Sequence, residues 1–159
     1  MTSRNDLRTA LLHPNVAAFL RAIRLGEGTS GPDGYHIIVG GGRFDDFSRH
    51  PNVLIALPNL GVKSTAAGAY QIIYRTWEAL RKQYGLEDFS PENQDQAAVA
   101  LIAGRRALDA VFAGRLKDAV ALCAAEWASL PGSTAGQRTE NMASVMRVYV
   151  QAGGAVAVA

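Results

Sequence analysis

The feature that most constrains this fold is the alanine-rich second half of the chain, where apolar residues recur with helical spacing. Ser90 is predicted to cap the first helix of this half, with Pro91 in its first turn. Glycines separate that helix from the ones that follow, as is common at helix ends. Helices are therefore predicted over roughly residues 91–104, 107–113, 115–128 and 138–152.

The first half mixes helical sequence with β-type and turn-rich segments. Residues 28–48 are rich in Gly and Asp around the β-type segment YHIIV, which predicts loops around a small hairpin. Residues 51–64 contain two prolines and are predicted to form an irregular, mobile flap. AYQII at 69–73 is predicted to be a short strand, and the helix after it should end at Gly85. These elements predict a mostly helical α+β domain with a groove between its two parts.

Composition supports one folded domain over residues 1–159, since hydrophobic residues make up 48% of the chain and charged residues 19%. The net charge of +2 mildly favours an anionic polymer as partner. Nucleic acid is not implied, because there is no dense Lys/Arg run and the pair Arg105–Arg106 fits ordinary helix surface. The lone Cys123 excludes an intrachain disulfide and is predicted to be a buried thiol.

No apolar segment approaches the roughly 20 residues that cross a bilayer, so stable membrane insertion is not expected. The amino-terminal sequence lacks a clean signal-peptide core and cleavage site. We therefore expect synthesis and folding in the cytosol. A substrate outside the cytosol would then have to be reached with the help of another protein.

Glu27 is the residue that physical reasoning singles out for catalysis. Asn15 is predicted to cap a helix whose apolar face Glu27 continues, between Gly26 and Gly28. Burial and the negative pole of the helix would both raise the pKa of this carboxyl. A glutamic acid still protonated near neutral pH can donate a proton to a glycosidic oxygen. From the residues alone, an exposed glutamate without a catalytic role is the alternative.

Glycoside cleavage commonly uses a second carboxylate, and Asp33, Asp45 and Asp46 are the candidates nearest in sequence. Asp33 lies in PDG, which is a turn signal, and the pair at 45 and 46 also lies in turn-like sequence. Turn formation or capping is the favoured role for all three.

Metal and nucleotide chemistry find no support in the sequence. His13, His36 and His50 are scattered without metal-ligand spacing, so no metal site is predicted. The pair Ser64–Thr65 lacks the GxSxG elbow of serine hydrolases, and glycines 40–42 lack a following Walker lysine. No cofactor is implied.

Four residues are candidates for sugar binding, namely Tyr70, Gln71, Trp77 and Trp127. Aromatic rings stack on pyranose faces, and an amide both donates and accepts hydrogen bonds. Burial in the core is the alternative, and it is favoured for Trp77 and Trp127 because both lie in helical patterns. For Tyr70 and Gln71 the two roles stay open.

An ordered series of motifs carries a resemblance to a known family. The motifs are EGT at 27–29, GYHIIVGG at 34–41, FDDFSRHP at 44–51, KSTAAGAYQ at 63–71, LEDFSPENQD at 86–95 and WASLPGS at 127–133. In these the chain resembles, nearly end to end, the bacteriophage lambda lysozyme family, glycoside hydrolase family 104. EGT alone would prove little, whereas six motifs in the same order make a chance similarity very unlikely. The resemblance implies a lysozyme-like fold and lytic transglycosylase activity on peptidoglycan.

The resemblance further implies that Glu27 acts first as acid and then as base, without a second catalytic carboxylate. The 6-hydroxyl of muramic acid would attack C1 and leave a 1,6-anhydro end, and no water would be consumed. Two flexible lips would border the groove at roughly residues 58–66 and 131–141, and their closure would exclude water. The subsite candidates are then Tyr70 and Gln71, followed by Ser64, Thr65 and Trp127.

Three departures from the lambda pattern are expected to make the cleft rim more basic. They are a shorter loop after EGT, His36 in place of an aspartate, and Arg49 in place of another acid. The resemblance implies a monomer that leaves the host cytoplasm through holin-made lesions and cuts peptidoglycan glycan strands in the periplasm for host lysis. A hydrolytic muramidase and a non-catalytic wall-binding or structural module are the alternatives.

Overall fold

A computed structural model describes residues 2–133 and 139–158, and within them helices dominate. The helices are α1 (Arg4–Leu11), α2 (Pro14–Glu27), α3 (Tyr74–Tyr84), α4 (Pro91–Gly104), α5 (Leu108–Phe112), α6 (Leu116–Cys123) and α7 (Met142–Gln151). Strands β1 (Ile55–Leu57) and β2 (Val62–Ser64) form a small antiparallel sheet. The predicted fold class, mostly helical α+β with a small β-element, is confirmed.

Helix α2 lies at the centre of the fold, where it packs against α1, α4, α5 and α7. Val16, Phe19 and Ile23 recur on its apolar face and are almost inaccessible to solvent. The buried apolar side chains of the described residues form one cluster that extends from α1 to α7. Because Glu27 is the last residue of this central helix, the core fixes the position of its backbone.

The start of α2 differs from the prediction that Asn15 caps it. His13 is the N-cap, and its Nδ1 accepts a hydrogen bond from the Asn15 N–H at 3.0 Å. Pro14 occupies the first helical position, where its missing N–H costs no hydrogen bond. Asn15 is buried inside the helix instead, and its side chain accepts a hydrogen bond from the backbone of Ala155 in the carboxyl-terminal tail.

The regular β-structure lies elsewhere than predicted. Within residues 51–64, expected to be irregular, residues 55–64 form the β1–β2 hairpin around a single 3-10 turn. YHIIV and AYQII, expected to be strands, contribute only isolated antiparallel bridges, which join Ile37 to Arg43 and both Ile38 and Ile72 to Ala67. The chain cannot extend the first of these bridges into a strand, because glycines 40–41, with φ of 88° and 98°, turn it back at once.

In the second half, α4 spans the predicted residues 91–104, and the Ser90 hydroxyl caps it as expected. Helix α6 is shorter than predicted, because the chain turns at Cys123, whose carbonyl accepts hydrogen bonds from the N–H groups of Glu126 and Trp127. Cys123 is fully buried as predicted, and burial raises the pKa of its thiol to about 12. Among the described residues, no helix has the length and apolar character needed to cross a membrane.

Candidate active site

Glu27 ends α2 with its side chain half buried. The helix stops here because Gly28 adopts the left-handed conformation, with φ of 74° and ψ of 24°. Burial raises the pKa of the Glu27 carboxyl, and a hydrogen bond from Ser129 offsets part of that rise. The pKa remains above its ordinary value, so the protonated form of Glu27 persists to higher pH than that of a solvated glutamate.

Ser129 contacts this carboxyl, and its hydroxyl donates a hydrogen bond to Oε2 of Glu27. Ser129 is only 4% exposed. Gly26 leaves the space for it, because a Cβ at Gly26 would collide with the Ser129 hydroxyl. The sequence analysis did not single out Ser129, although it lies within the WASLPGS motif.

Three segments that are distant in sequence meet around Glu27. The loop after Glu27 is joined to a second segment by Thr29, whose hydroxyl donates a hydrogen bond to the carbonyl of Ala69 at 2.5 Å. The third segment contains Trp127, whose indole N–H donates to the carbonyl of Tyr70, next to Ala69 in the second segment, at 3.0 Å. Both of these hydrogen bonds are buried, so they hold the surroundings of Glu27 in one arrangement.

Arg24, one turn before Glu27, shapes the loop that follows the helix. Its guanidinium is 5% exposed and donates to the carbonyl of Thr29 from Nε and Nη2, at 2.9 and 2.7 Å. Nη2 also donates to the carbonyl of Gly31 at 2.9 Å. The rigid fork of donors thereby fixes the backbone on the exit side of Glu27, which a lysine could not do in the same way.

A half-buried carboxyl that the sequence analysis did not identify, that of Asp95, lies beside this loop. Asp95 Oδ1 accepts hydrogen bonds from the hydroxyls of Tyr35 and Tyr70, at 2.8 and 2.6 Å. Burial raises the pKa of Asp95, and the two hydroxyl donors and the nearby Arg24 charge oppose that rise. Asp95 is thus engaged in holding two tyrosines and a buried cation together.

The predicted sugar-binding residues occupy different environments. Tyr70 and Trp127 are each 2% exposed, which leaves no open ring face on which a sugar could stack. Gln71 is half buried, and its Nε2 donates to the carbonyls of Ile37 and Gly68 at 3.1 and 2.9 Å. Its Oε1 has no hydrogen-bond partner within residues 2–133 and 139–158, so it is the group of this set best able to accept a bond from a sugar hydroxyl.

Ser64 and Thr65 lie at the end of β2 and are half buried. The Ser64 hydroxyl accepts a hydrogen bond from the Ala66 N–H at 3.1 Å. The Thr65 hydroxyl accepts one from the N–H of Tyr74, the first residue of α3, at 2.8 Å. Both hydroxyls therefore shape the chain locally while keeping a proton to donate. Of the two predicted lips, 58–66 contains β2, and 131–141 includes residues 134–138, which lie outside the described residues.

The three candidate second carboxylates all have contacts with residues near them in sequence, and Asp46 has the turn-forming contact that the sequence favoured. Asp33 and Asp45 are exposed and each forms an ion pair with Arg43 at 3.0 Å. Asp46 accepts a hydrogen bond from the Ser48 N–H at 2.8 Å, which lowers the pKa of its carboxyl. Asp46 therefore stabilises a turn, while Asp33 and Asp45 are engaged in surface ion pairs.

Replacing Asp33, Asp45 or Asp46 singly with Asn is expected to leave the cell-wall-clearing activity that the resemblance implies within about fivefold of wild type, because exposed ion pairs and turns contribute about 1 kcal/mol or less. Turbidity loss of purified walls measures this directly. If one of the three substitutions abolished clearing while the protein stayed folded, that aspartate would be a catalytic group.

The histidines have structural contacts. His36 stacks on Phe47, with ring centroids 4.4 Å apart. His50 is 3% exposed, and its Nε2–H donates to the carbonyl of Ile72 at 2.8 Å while burial lowers the pKa of its ring. In the described part of the chain, no three His, Cys, Asp or Glu side chains lie close enough together to hold a metal ion.

Known proteins match the chain along most of its length. The profile of the Endolysin family matches residues 17–156. The endolysin of Escherichia phage lambda is 43% identical over 145 residues, which cover 87% of this chain and 91% of that protein. The endolysin of Escherichia phage P2 is 42% identical over 156 residues, which cover 89% of this chain and 94% of that protein.

Solved structures agree with these relatives. Bacteriophage lambda lysozyme complexed with a chitohexasaccharide superposes with a TM-score of 0.86 and 40% identity, covering 91% of this chain and 97% of that one. A second structure, lysozyme from bacteriophage lambda, gives a TM-score of 0.82 with the same identity and coverage. The fold thus defines a lysozyme-like protein. The chain belongs to the endolysin family and is a cell-wall-lytic enzyme of the lambda lysozyme type.

Proposed function

We propose that this enzyme cleaves the β-1,4 bond between N-acetylmuramic acid and N-acetylglucosamine by transglycosylation, leaving 1,6-anhydromuramic acid ends. The observation that carries the proposal is the half-buried carboxyl of Glu27, which accepts a hydrogen bond from Ser129 and whose pKa is raised by burial with no contribution from a second carboxylate of the described residues. The lambda lysozyme complexed with a chitohexasaccharide supports a β-1,4-linked amino-sugar polymer as the substrate class. A lone carboxyl suffices if the substrate supplies its own nucleophile.

In the first step Glu27 is the general acid. Its proton passes to the glycosidic oxygen while the bond between that oxygen and C1 of muramic acid breaks. Burial favours the protonated carboxyl, so the acid is available at the pH at which a solvated glutamate would already be ionised. The leaving sugar departs as a neutral alcohol.

In the second step the same carboxylate is the general base. The 6-hydroxyl of the muramic acid attacks C1, and its proton moves to Glu27, which returns to the acid form. One C–O bond breaks and one forms, one proton leaves Glu27 and one returns, and no water enters the products. Asp33, Asp45 and Asp46, which are occupied in turns and surface ion pairs, have no step to perform.

The same proposal covers the biological role. The enzyme would act as a monomer on peptidoglycan glycan strands in the periplasm, after a holin permeabilises the host membrane, and host lysis would follow. Gln71 would contact the glycan through its Oε1, and Ser64 and Thr65 could add donors from the end of β2. Tyr70 and Trp127 would support this surface from the core, since both are buried.

Product analysis tests the reaction type. Digestion of purified peptidoglycan in heavy-oxygen water, followed by mass spectrometry, is expected to give muramic acid ends that lack one water and carry no label. Borohydride should leave those ends unchanged, since they have no reducing carbon. Labelled, borohydride-reducible muramic acid as the main product would establish a hydrolytic muramidase instead.

A further inference from the structure

We propose that Ser129 is a positioning residue that occupies Oε2 of Glu27 and thereby makes Oε1 the oxygen that exchanges protons with the substrate. The inference rests on the proposed role of Glu27 as acid and base. It goes further because it assigns the two carboxyl oxygens separate tasks. It also names a residue 102 positions away as the one that separates them.

The hydrogen bond itself supplies the first part of the argument. The Ser129 hydroxyl donates to Oε2, and Oε1 has no hydrogen-bond partner among residues 2–133 and 139–158. In a protonated carboxyl the carbonyl oxygen is the acceptor and the other oxygen holds the proton. An oxygen that already accepts a donated bond is therefore the carbonyl oxygen, which places the proton on Oε1 of Glu27.

Contacts of the residues before and after Ser129 fix its position in the fold. Two residues earlier, the indole of Trp127 is anchored in the core by its bond to the carbonyl of Tyr70. The carbonyl of Ser129 accepts a hydrogen bond from the Glu140 N–H at 2.7 Å, and the following residue, Leu130, is fully buried. A donor held in this way is preorganised, so it needs no rearrangement when Glu27 changes its charge.

The contact between Ser129 and Glu27 also requires open space beside the last turn of α2. Gly26 lies directly against the Ser129 side chain, and any larger residue there would push the hydroxyl away from Glu27. Helix α2 therefore has a glycine where alanine would be the better helix former. The hydrogen bond offers a reason for that residue, because the approach of Ser129 requires the absence of a Cβ.

The assignment has a chemical consequence for both half-reactions. Oε1 gives its proton to the glycosidic oxygen, and the resulting carboxylate keeps its Oε2 bonded to Ser129. Oε1 then takes the proton of the attacking 6-hydroxyl. The same oxygen serves twice, and the carboxyl group does not rotate between the steps.

Replacing Ser129 with Ala tests the proposal on soluble, uncrosslinked glycan strands. We expect kcat to fall about tenfold while KM changes little, because a donor to an ionised group is lost and no sugar contact is removed. A hydrogen bond that stabilises the carboxylate lowers its pKa, so its loss should raise the Glu27 pKa further. The alkaline limb of the kcat–pH profile should therefore move to higher pH.

Ser48→Ala is the matched control, since Ser48 is exposed and has no contact with Glu27. Carbon-13 NMR titration of the Glu27 carboxyl measures the change in its pKa directly, without relying on turnover. An unchanged pKa in Ser129→Ala overturns the proposal, whether or not activity falls, because a merely structural role would not move it. Product masses are recorded for both proteins, so a hydrolytic outcome would refute the proposed reaction independently of the Ser129 result.

Discussion

Replacing Glu27 with Gln is expected to slow clearing of cell walls by at least about 100-fold, because an amide neither gives nor takes the catalytic proton. The side chain keeps its size, and its amide can still accept the bond from Ser129, so the fold should be retained. Initial rates of turbidity loss, measured at equal concentrations of folded protein, give the comparison.

Glu87→Gln is the matched control for this substitution, because Glu87 is exposed and its exchange removes the same charge far from the core helix. It should clear walls at the wild-type rate. Unchanged clearing by Glu27→Gln would mean that Glu27 is not the catalyst. Retained wall binding with no turnover in the wild-type protein would favour a binding module.

The same variant should be more stable than wild type near neutral pH. The pKa of Glu27 is raised above 4.5 in the folded protein, so the folded state binds this proton more tightly than the unfolded state does. Wild-type stability therefore falls as pH rises from the unfolded pKa through the folded one. Because Gln does not titrate, the difference in Tm should be small near pH ~4 and should grow toward pH ~7. Asp95, whose pKa is also raised, is present in both proteins, so its contribution to the pH dependence of stability cancels in the difference.

Helix starts and ends were predicted correctly where they depend only on residues that are neighbours in sequence. Ser90 and Pro91 begin α4 as expected, because capping and proline placement depend on neighbouring residues only. A capping signal of the same kind precedes α1, where Ser3 and Asp6 form a capping box, and it would have predicted the start of that helix. The Gly28 stop likewise followed from the pattern of one helix, whereas that pattern left open whether Glu27 is exposed or partly buried.

The rest depends on contacts between distant segments. Nothing near Ser129 in sequence indicates that its hydroxyl meets Glu27, since that pairing exists only after α2 and the Trp127 segment pack together. The β1–β2 hairpin was missed because Pro58 and Gly61 suggested an irregular loop, whereas they form its tight turn. The resemblance to the lambda lysozyme family supplied the proposed catalytic role of Glu27, which pKa arguments alone left open.

Replacing Trp127 with Ala is expected to lower the free energy of unfolding by about 3–5 kcal/mol, the usual cost of removing a large aromatic side chain from a core. Trp127 is 2% exposed and donates its indole N–H to Tyr70, so the change leaves both a cavity and an unpaired carbonyl. Urea denaturation measures the loss. Trp77→Ala is the matched control, because Trp77 is equally buried but has no bond to the Tyr70 turn.

Trp127→Phe separates support from sugar stacking. Phenylalanine keeps an aromatic face but lacks the N–H donor, so a core role predicts a stability loss of about 1–3 kcal/mol. With Trp127 released, Ser129 should be held less firmly, and kcat should fall more than KM rises. A stacking role predicts the reverse, with stability retained and KM changed by Trp127→Ala but hardly by Trp127→Phe. The burial of the ring favours the first outcome, in which Trp127 serves catalysis by fixing the segment that carries the Glu27 partner.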